Sequence, residues 1–152
     1  MRNLHRLIYH SRFSPSFPRA LDDQDHEIGL IIQASIRNNR LTGITGMLLV
    51  RGDQFLQVLE GPGEAVRTTY ERILADRRHM QARVLGHDKA GQREFGDWNM
   101  CAHRLSKADD AILATLDKGA KPDLSALTGE AALRLLTAVR RIQAATTARS
   151  MA

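Results

Sequence analysis

The side chains that could do chemistry are few, and most of them are amides. Gln57 lies in Phe55-Leu56-Gln57-Val58-Leu59-Glu60, a run of strand length, and because strand side chains alternate with period two it shares a face with Phe55 and Leu59. A primary amide has several hydrogen bonds to satisfy. Leaving one buried and unpaired costs on the order of 1–3 kcal/mol, so neighbouring protein groups, water or a polar ligand must meet it. Asn39, and less centrally Asn38, continue a helical stripe through Ile28, Ile31, Ile32 and Ser35. They serve either a polar ligand or a helix end ahead of Gly43, since Asn tolerates the left-handed conformation such ends use. Arg72 and Asp76 sit four apart at the edge of a second helical stripe, where in isolation they form a surface ion pair. Trp98 and Met100 alternate onto one strand face, for which core packing is the plain reading. Metal chemistry is not expected, because the six histidines show no His-x-x-x-His spacing and Cys101 is the single cysteine, which also rules out an internal disulfide.

These residues need a scaffold, and its centre is a hairpin. Gly46-Met47-Leu48-Leu49-Val50 and Phe55 to Glu60 are apolar arms around Gly52-Asp53, with the glycine at the first central turn position, where primed two-residue turns need positive φ. Before it, Leu4 to Ser11 reads as a strand with Leu7 and Tyr9 on one face and Leu4, Arg6 and Ile8 on the other. Apolar residues on both faces imply an inner strand covered on both sides. A loop with Pro15 and Pro18 leads to a helix from about Asp25 to Asn38 or Asn39. After the hairpin, Gly61-Pro62-Gly63-Glu64 opens a second helix, with Glu64 where the macrodipole favours an acid and with Val66, Thr69, Tyr70 and Ile73 as its stripe. Ala82 to His87 and Phe95 to Ala102 read as the last two strands. The order is βαββαββ, the split βαβ plan: an α+β fold with a mixed five-stranded sheet and two helices on one face. Ser106-Lys107-Ala108-Asp109 has capping-box spacing and opens a short helix toward Lys118. A final helix from Gly129 to Ala145 carries the stripe Ala132, Leu135, Leu136, Val139, and residues 146–152 read as a frayed tail.

The whole chain sets few further bounds. Its 152 residues suit one domain with a short extension, and 43% hydrophobic with 26% charged residues is ordinary for a soluble protein. No apolar run approaches a membrane span, and no signal peptide opens the chain, so a cytoplasmic location is expected. The net charge of +5 is scattered rather than clustered, which favours solvated surface over nucleic acid.

Four segments taken in order carry a resemblance. Leu4-His5-Arg6-Leu7-Ile8-Tyr9-His10-Ser11, then Arg37-Asn38-Asn39-Arg40-Leu41-Thr42-Gly43-Ile44-Thr45-Gly46, then Phe55-Leu56-Gln57-Val58-Leu59-Glu60-Gly61-Pro62, then Phe95-Gly96-Asp97-Trp98-Asn99-Met100 together resemble the BLUF domains, sensors of blue light using flavin. The resemblance spans roughly Leu4 to His103. It implies a ferredoxin-like fold with the isoalloxazine ring slotted between the two helices on the sheet. It also implies FAD as the cofactor, with FMN or riboflavin as alternatives, and a reversible sensor rather than an enzyme. Tyr9 would be the photochemical electron and proton donor and Gln57 the switching amide. Asn39 with Asn38 would bond the polar edge of the ring, Ile32 would be part of the slot wall, and Arg72 and Asp76 would lie near that edge or the ribityl chain. Ser35, Trp98 and Met100 would sense the rearrangement of the glutamine.

The loop from Ser11 to His26 looks longer than the family's usual connection. The expected organisation is a sensor over residues 1–105, a helical extension over 106–145 and the tail. The extension is expected to pack on the sheet face opposite the flavin helices and to signal to a separate protein through that face, or through a change of oligomer. Two other classes compete: a flavin or small-ligand module without photochemistry, and an RNA-recognition module of the same strand order. The latter is disfavoured because the hairpin arm offers only Phe55 as a stacking aromatic.

Overall fold

A computed structural model of the chain describes residues 3–96, 100–105 and 124–151, with side chains as far as Arg141. Strand β1 is Leu4–Phe13, helix α1 Leu21–Thr42, β2 Thr45–Arg51, β3 Gln54–Pro62, α2 Gly63–Leu74, β4 His79–Lys89 and β5 Ala102–Arg104; a 3-10 turn at Leu124–Ala126 precedes the last helix, α3, Gly129–Met151. The sheet runs in the order β4-β1-β3-β2-β5. Every pairing is antiparallel except that of β2 with β5, which makes the five-stranded sheet mixed. This is the α+β, ferredoxin-like arrangement expected. The β2–β3 hairpin closes at Arg51↔Gln54, with Gly52 at φ 55 in its turn.

Alternation along the strands sorts the core into two faces. Leu7, Tyr9, Ile44, Leu59, Val66 and Met100 pack together on the side of α1 and α2. Ile8, Met47, Leu49, Leu56 and Val58 point the other way, onto Ala132, Leu135, Leu136 and Val139 of α3. The terminal stripe therefore covers the second sheet face. A third cluster, Phe13, Phe17, Ile28, Leu48, Val50 and Phe55, closes one end of the first face.

Several boundaries differ from those expected. Helix α1 begins four residues early, with Asp22 and Asp23 in its first turn, and extends to Gly43, which takes the left-handed conformation at φ 74 and ends it. Since β1 also runs on to Phe13, the connection shrinks to residues 14–20. Helix α3 continues past Ala145 to Met151, there being no glycine or proline in that stretch to stop it. The last strand is not Phe95 to Ala102 but the short β5, paired with β2 over Leu48 to Val50. Phe95 is a loop anchor instead: its N–H is held by the Glu60 carboxylate at 2.8 Å and its ring is buried under α3. Trp98, and the helix expected from Ser106 toward Lys118, lie outside the described residues. Strand β4 carries irregularities opposite Ile8/Tyr9 and opposite His10/Arg12, and Gln81 at φ 57 sits in the second.

Candidate functional site

Tyr9 and Gln57 are directly opposite each other in the β1–β3 register. Both therefore point to the α1/α2 face, and they meet: the Tyr9 phenol donates a hydrogen bond to Gln57 Oε1. The other end of the same amide, Nε2, donates to Met100 Sδ at 3.3 Å. All three are buried, at 4%, 5% and 5% exposure. The carboxamide orientation is thus fixed by chemistry, since the phenol can give a proton to the oxygen and the thioether can only accept. Burial, followed by the neighbouring Tyr70 and Asp76, pushes the Tyr9 phenol far above an ordinary tyrosine. It keeps its proton and remains a donor. The Tyr70 ring lies tilted at 48° to it with the centroids 5.3 Å apart, and its own phenol is raised by burial.

Above this chain lies a slot between α1 and α2, made of two adjoining hollows of about 60 and 120 Å³ that share Ile31, Ser35, Gln57, Ile73, Asp76 and Arg78. Helix α1 contributes Ile31, Ser35, Asn38 and Asn39 to it. These recur at the three- and four-residue spacing of one helix face. Asn39 is buried at 3% exposure, whereas Asn38 is exposed at the rim. Gly43 occupies the left-handed end position of α1 and its N–H bonds the Asn39 carbonyl at 2.9 Å. The Asn39 side chain is therefore not what ends the helix. Ile32 does not line either hollow; it packs into the cores beneath, and Ile31 takes the wall position.

Arg72 reaches the slot from α2 and Asp76 from just beyond it. Their expected i,i+4 pair is replaced, because α2 ends at Leu74 and Asp76 turns back onto Arg78. Arg78 offers Nη2 to Asp76 at 2.6 Å, its backbone N–H at 2.9 Å, and Nη1 to Glu27 of α1 at 3.1 Å. Burial opposes ionisation of Asp76, but the bonds and charge of Arg78 outweigh it and hold the carboxyl below the ordinary range; the same bonds raise the guanidinium. This clasp ties α1 to the end of α2 across the mouth of the slot. His79 is fixed beside it, bonded to the Ile73 carbonyl at 2.5 Å and to Ser11 Oγ at 2.8 Å, with its ring 6.3 Å from that of Tyr9. Sequence reasoning missed Arg78 and His79. The signal available for Arg78 was its place two residues past Asp76, where a chain turning at a helix end brings the i+2 side chain back to the carboxylate.

The far end is closed by Phe13, Phe17 and Phe55, with ring centroids 4.3 Å and 4.6 Å from Phe13. Ile31, Leu48, Ile73 and Phe55 make apolar walls, while Asn38, Asn39, Gln57, Arg72 and Arg78 supply donors and acceptors around them. Such a slot suits a flat heteroaromatic ring with apolar faces and one hydrogen-bonding edge, and a flavin fits that donor set. Among the described residues no group of three or more metal-ligating side chains occurs.

Comparison with known proteins agrees with this geometry. A family model described as sensors of blue-light using FAD matches residues 4–101. The blue light- and temperature-regulated antirepressor BluF of Escherichia coli K12 is 36% identical over 115 residues, which is 74% of this chain and 27% of that protein. The photoactivated adenylate cyclase subunit beta of Euglena gracilis is 32% identical over 98 residues, 64% of this chain but 11% of the cyclase. Among solved structures, the dark state of the BLUF protein BlrB superposes with a TM-score of 0.70 at 31% identity, covering 94% of this chain and 97% of that one. The photo-activated state of BlsA reaches a TM-score of 0.76 at 22% identity, covering 88% and 91%, a likeness of fold.

Proposed function

The chain belongs to the BLUF family of flavin-binding blue-light sensors, and from that premise we propose that it signals by a light-driven change in the Tyr9–Gln57–Met100 hydrogen-bond chain, passed to a separate protein. The observation that carries this is the pairing of Tyr9 with Gln57 at the floor of the slot, with the amide's other end on Met100. A bound flavin, excited by blue light, supplies the acceptor for an electron and a proton. Tyr9 is the residue able to give both, through a phenol that burial keeps protonated. With the phenol proton back on Tyr9, Gln57 would be able to settle in a second hydrogen-bond pattern, by rotation or by tautomerisation. Rotation would turn Oε1 toward Met100 Sδ, which has no proton to give, so the Met100 contact breaks; tautomerisation can leave an N–H there.

Asn39 and Asn38 would hold the polar edge of the ring, Ser35 would stand beside Gln57, and Arg72, Arg78 and Asp76 would lie toward the mouth and the ribityl chain. FAD is the proposed cofactor, FMN and riboflavin presenting the same ring. Cys101 is set aside as an adduct-forming nucleophile: it packs against the core on the α3 side of the sheet and lines neither hollow of the slot. We place the protein in the cytoplasm and its output at the α3-covered face, acting on a partner or on its own oligomeric state. The test is colour. Protein purified in the dark should be yellow, release flavin on denaturation and shift its absorption reversibly to the red under blue light. Bound flavin without that shift would refute the photochemical reading.

A further inference from the structure

Helix α1 forms one wall of the slot, and two guanidinium groups hold its first half from opposite sides. Asp25 and Glu27 are two residues apart, which turns their side chains about 200° from one another around the helix. Glu27 Oε1 accepts Arg78 Nη1 at 3.1 Å, from the residue that precedes the edge strand β4. Arg104 ends the opposite edge strand β5, and its Nη2 donates to Asp25 Oδ1 at 3.0 Å and to Gln24 Oε1 at 3.2 Å. Gln24 is buried and gives its Nε2 to the Arg19 carbonyl at 3.3 Å, which fixes the approach to the helix. Between the two clasps Ile28 is buried in the cluster of Phe13, Phe17 and Phe55, whereas Ile31, Ile32 and Ser35 beyond it are half-buried. The far end of α1 is held differently, by buried Asn39 and by Arg93 Nη2 on the Gly43 carbonyl at 2.8 Å.

Arg78 also borders both hollows of the slot, with Asp76 on its other edge. A ring lying in the slot passes this clasp on its way in or out, so exchange requires α1 and Arg78 to part. Neither clasp is strong alone. Their paired side chains are 37% and 27% exposed for Arg78 and Glu27, and 29% and 64% for Arg104 and Asp25, and ion pairs so open to solvent shift an opening equilibrium by a factor of about 1.5–5. We infer that Glu27, Asp25 and Arg104 are positioning residues for the cofactor: with Arg78 they hold the N-terminal half of α1 against the slot, and flavin exchanges through the parting of these two clasps. The cofactor role rests on the reading of the slot as the flavin site, and the holding of α1 does not.

The test uses the flavin-loaded protein in the dark. Bound and free flavin are separated by gel filtration at intervals after dilution, and amide hydrogen exchange is read along the chain. Glu27→Gln and Arg104→Gln should each speed flavin release about threefold, and the double variant about tenfold, because the clasps lie on opposite sides of the helix and act independently. Raising the salt from about 50 mM to about 500 mM should speed release from the wild type and act much less on the double variant, whose clasps no longer pair charges. Exchange over residues 25–32 should quicken in the variants while α2 and β3 keep the wild-type pattern, which separates local parting of α1 from a general loss of stability. Arg40→Gln, which removes one exposed charge near the other end of α1, should release flavin at the wild-type rate. The inference is overturned if the double variant releases flavin no faster than wild type, if Arg40→Gln speeds release as much as Arg104→Gln, or if faster release comes with equally quickened exchange throughout α2 and β3. A protein that holds no flavin would defeat the reading of the slot and the cofactor role with it, and exchange over residues 25–32 would then decide whether the clasps hold α1.

Discussion

Tyr9→Phe removes one oxygen from a fully packed ring, so the fold and the slot should persist. What is lost is the bond to Gln57 Oε1. Its net contribution of about 1 kcal/mol should lower stability by that amount and the melting temperature by about 2–4 °C. Flavin should remain bound and the reversible red shift should disappear, because Phe has no proton to give. A second signature lies in alkali. The Tyr9 phenol is raised by burial, followed by Tyr70 and Asp76. Below the ordinary tyrosine pKa both folded and unfolded chains keep the proton, and the residue adds no pH dependence. Above about pH 10 the unfolded chain loses the proton while the folded one retains it, so stability falls with rising pH by about 1.4 kcal/mol per unit on account of this residue. Tyr9→Phe abolishes that slope. The variant should start about 1 kcal/mol below wild type at pH 8 and draw level roughly one unit above pH 10. Urea unfolding at pH 8 to 11, with absorption spectra before and after illumination, reads both effects. A reversible red shift in Tyr9→Phe, or parallel stability curves through pH 11, would refute the assignment.

Gln57→Leu nearly conserves volume while removing both donor and acceptor; flavin should stay, and the carbonyl weakening on illumination should be missing from infrared difference spectra. Asn39→Ala should lower flavin occupancy or move the dark spectrum, whereas Ser14→Ala, in the connection before α1, should match wild type in both. Leu136→Ala, at a side chain with no exposure in the α3–sheet core, should cost about 2–5 kcal/mol if the global fold carries α3, measured by denaturant unfolding. A change below about 0.5 kcal/mol would mean that α3 is not docked on the sheet in solution.

The parts of this molecule that were legible in the sequence obey local periodicity. Leu7 and Tyr9 against Arg6 and Ile8, or Phe55, Gln57 and Leu59 against Leu56 and Val58, follow from the two-residue alternation of strands, and the α3 stripe from the helical repeat. Gln57 stood out because an amide on such a face needs a partner, and the structure supplies two. What could not be read depends on contacts distant in sequence or on where a helix stops. Phe95 has strand-like neighbours, but a carboxylate 35 positions away takes its N–H and makes it an anchor. Asp76 would pair with Arg72 if α2 ran one turn further; because it ends at Leu74, Arg78 wins and brings His79 with it. Asn39 was ambiguous until Gly43 was seen to hold the left-handed position. Ile31 and Ile32 both lie on the apolar side of α1, and only the placement of α2 decides which lines the slot.

The two edges of the sheet limit how any partner can engage it. A protein that recruits others by strand addition needs a long, regular, unpaired edge. Here one edge is β4, whose two irregularities and the positive φ of Gln81 twist its pairing groups out of line, a device that blocks edge-to-edge association. The other is β5, three residues long. Among the described residues neither edge offers a long, regular template for β-augmentation, and the same bulges pin β4 against sliding past Tyr9, since a one-residue slip would turn every side chain to the wrong face. Recognition of this protein must then read side chains on helices and loops rather than backbone ladders. A partner's specificity will therefore be open to change by single surface substitutions that leave the sheet untouched.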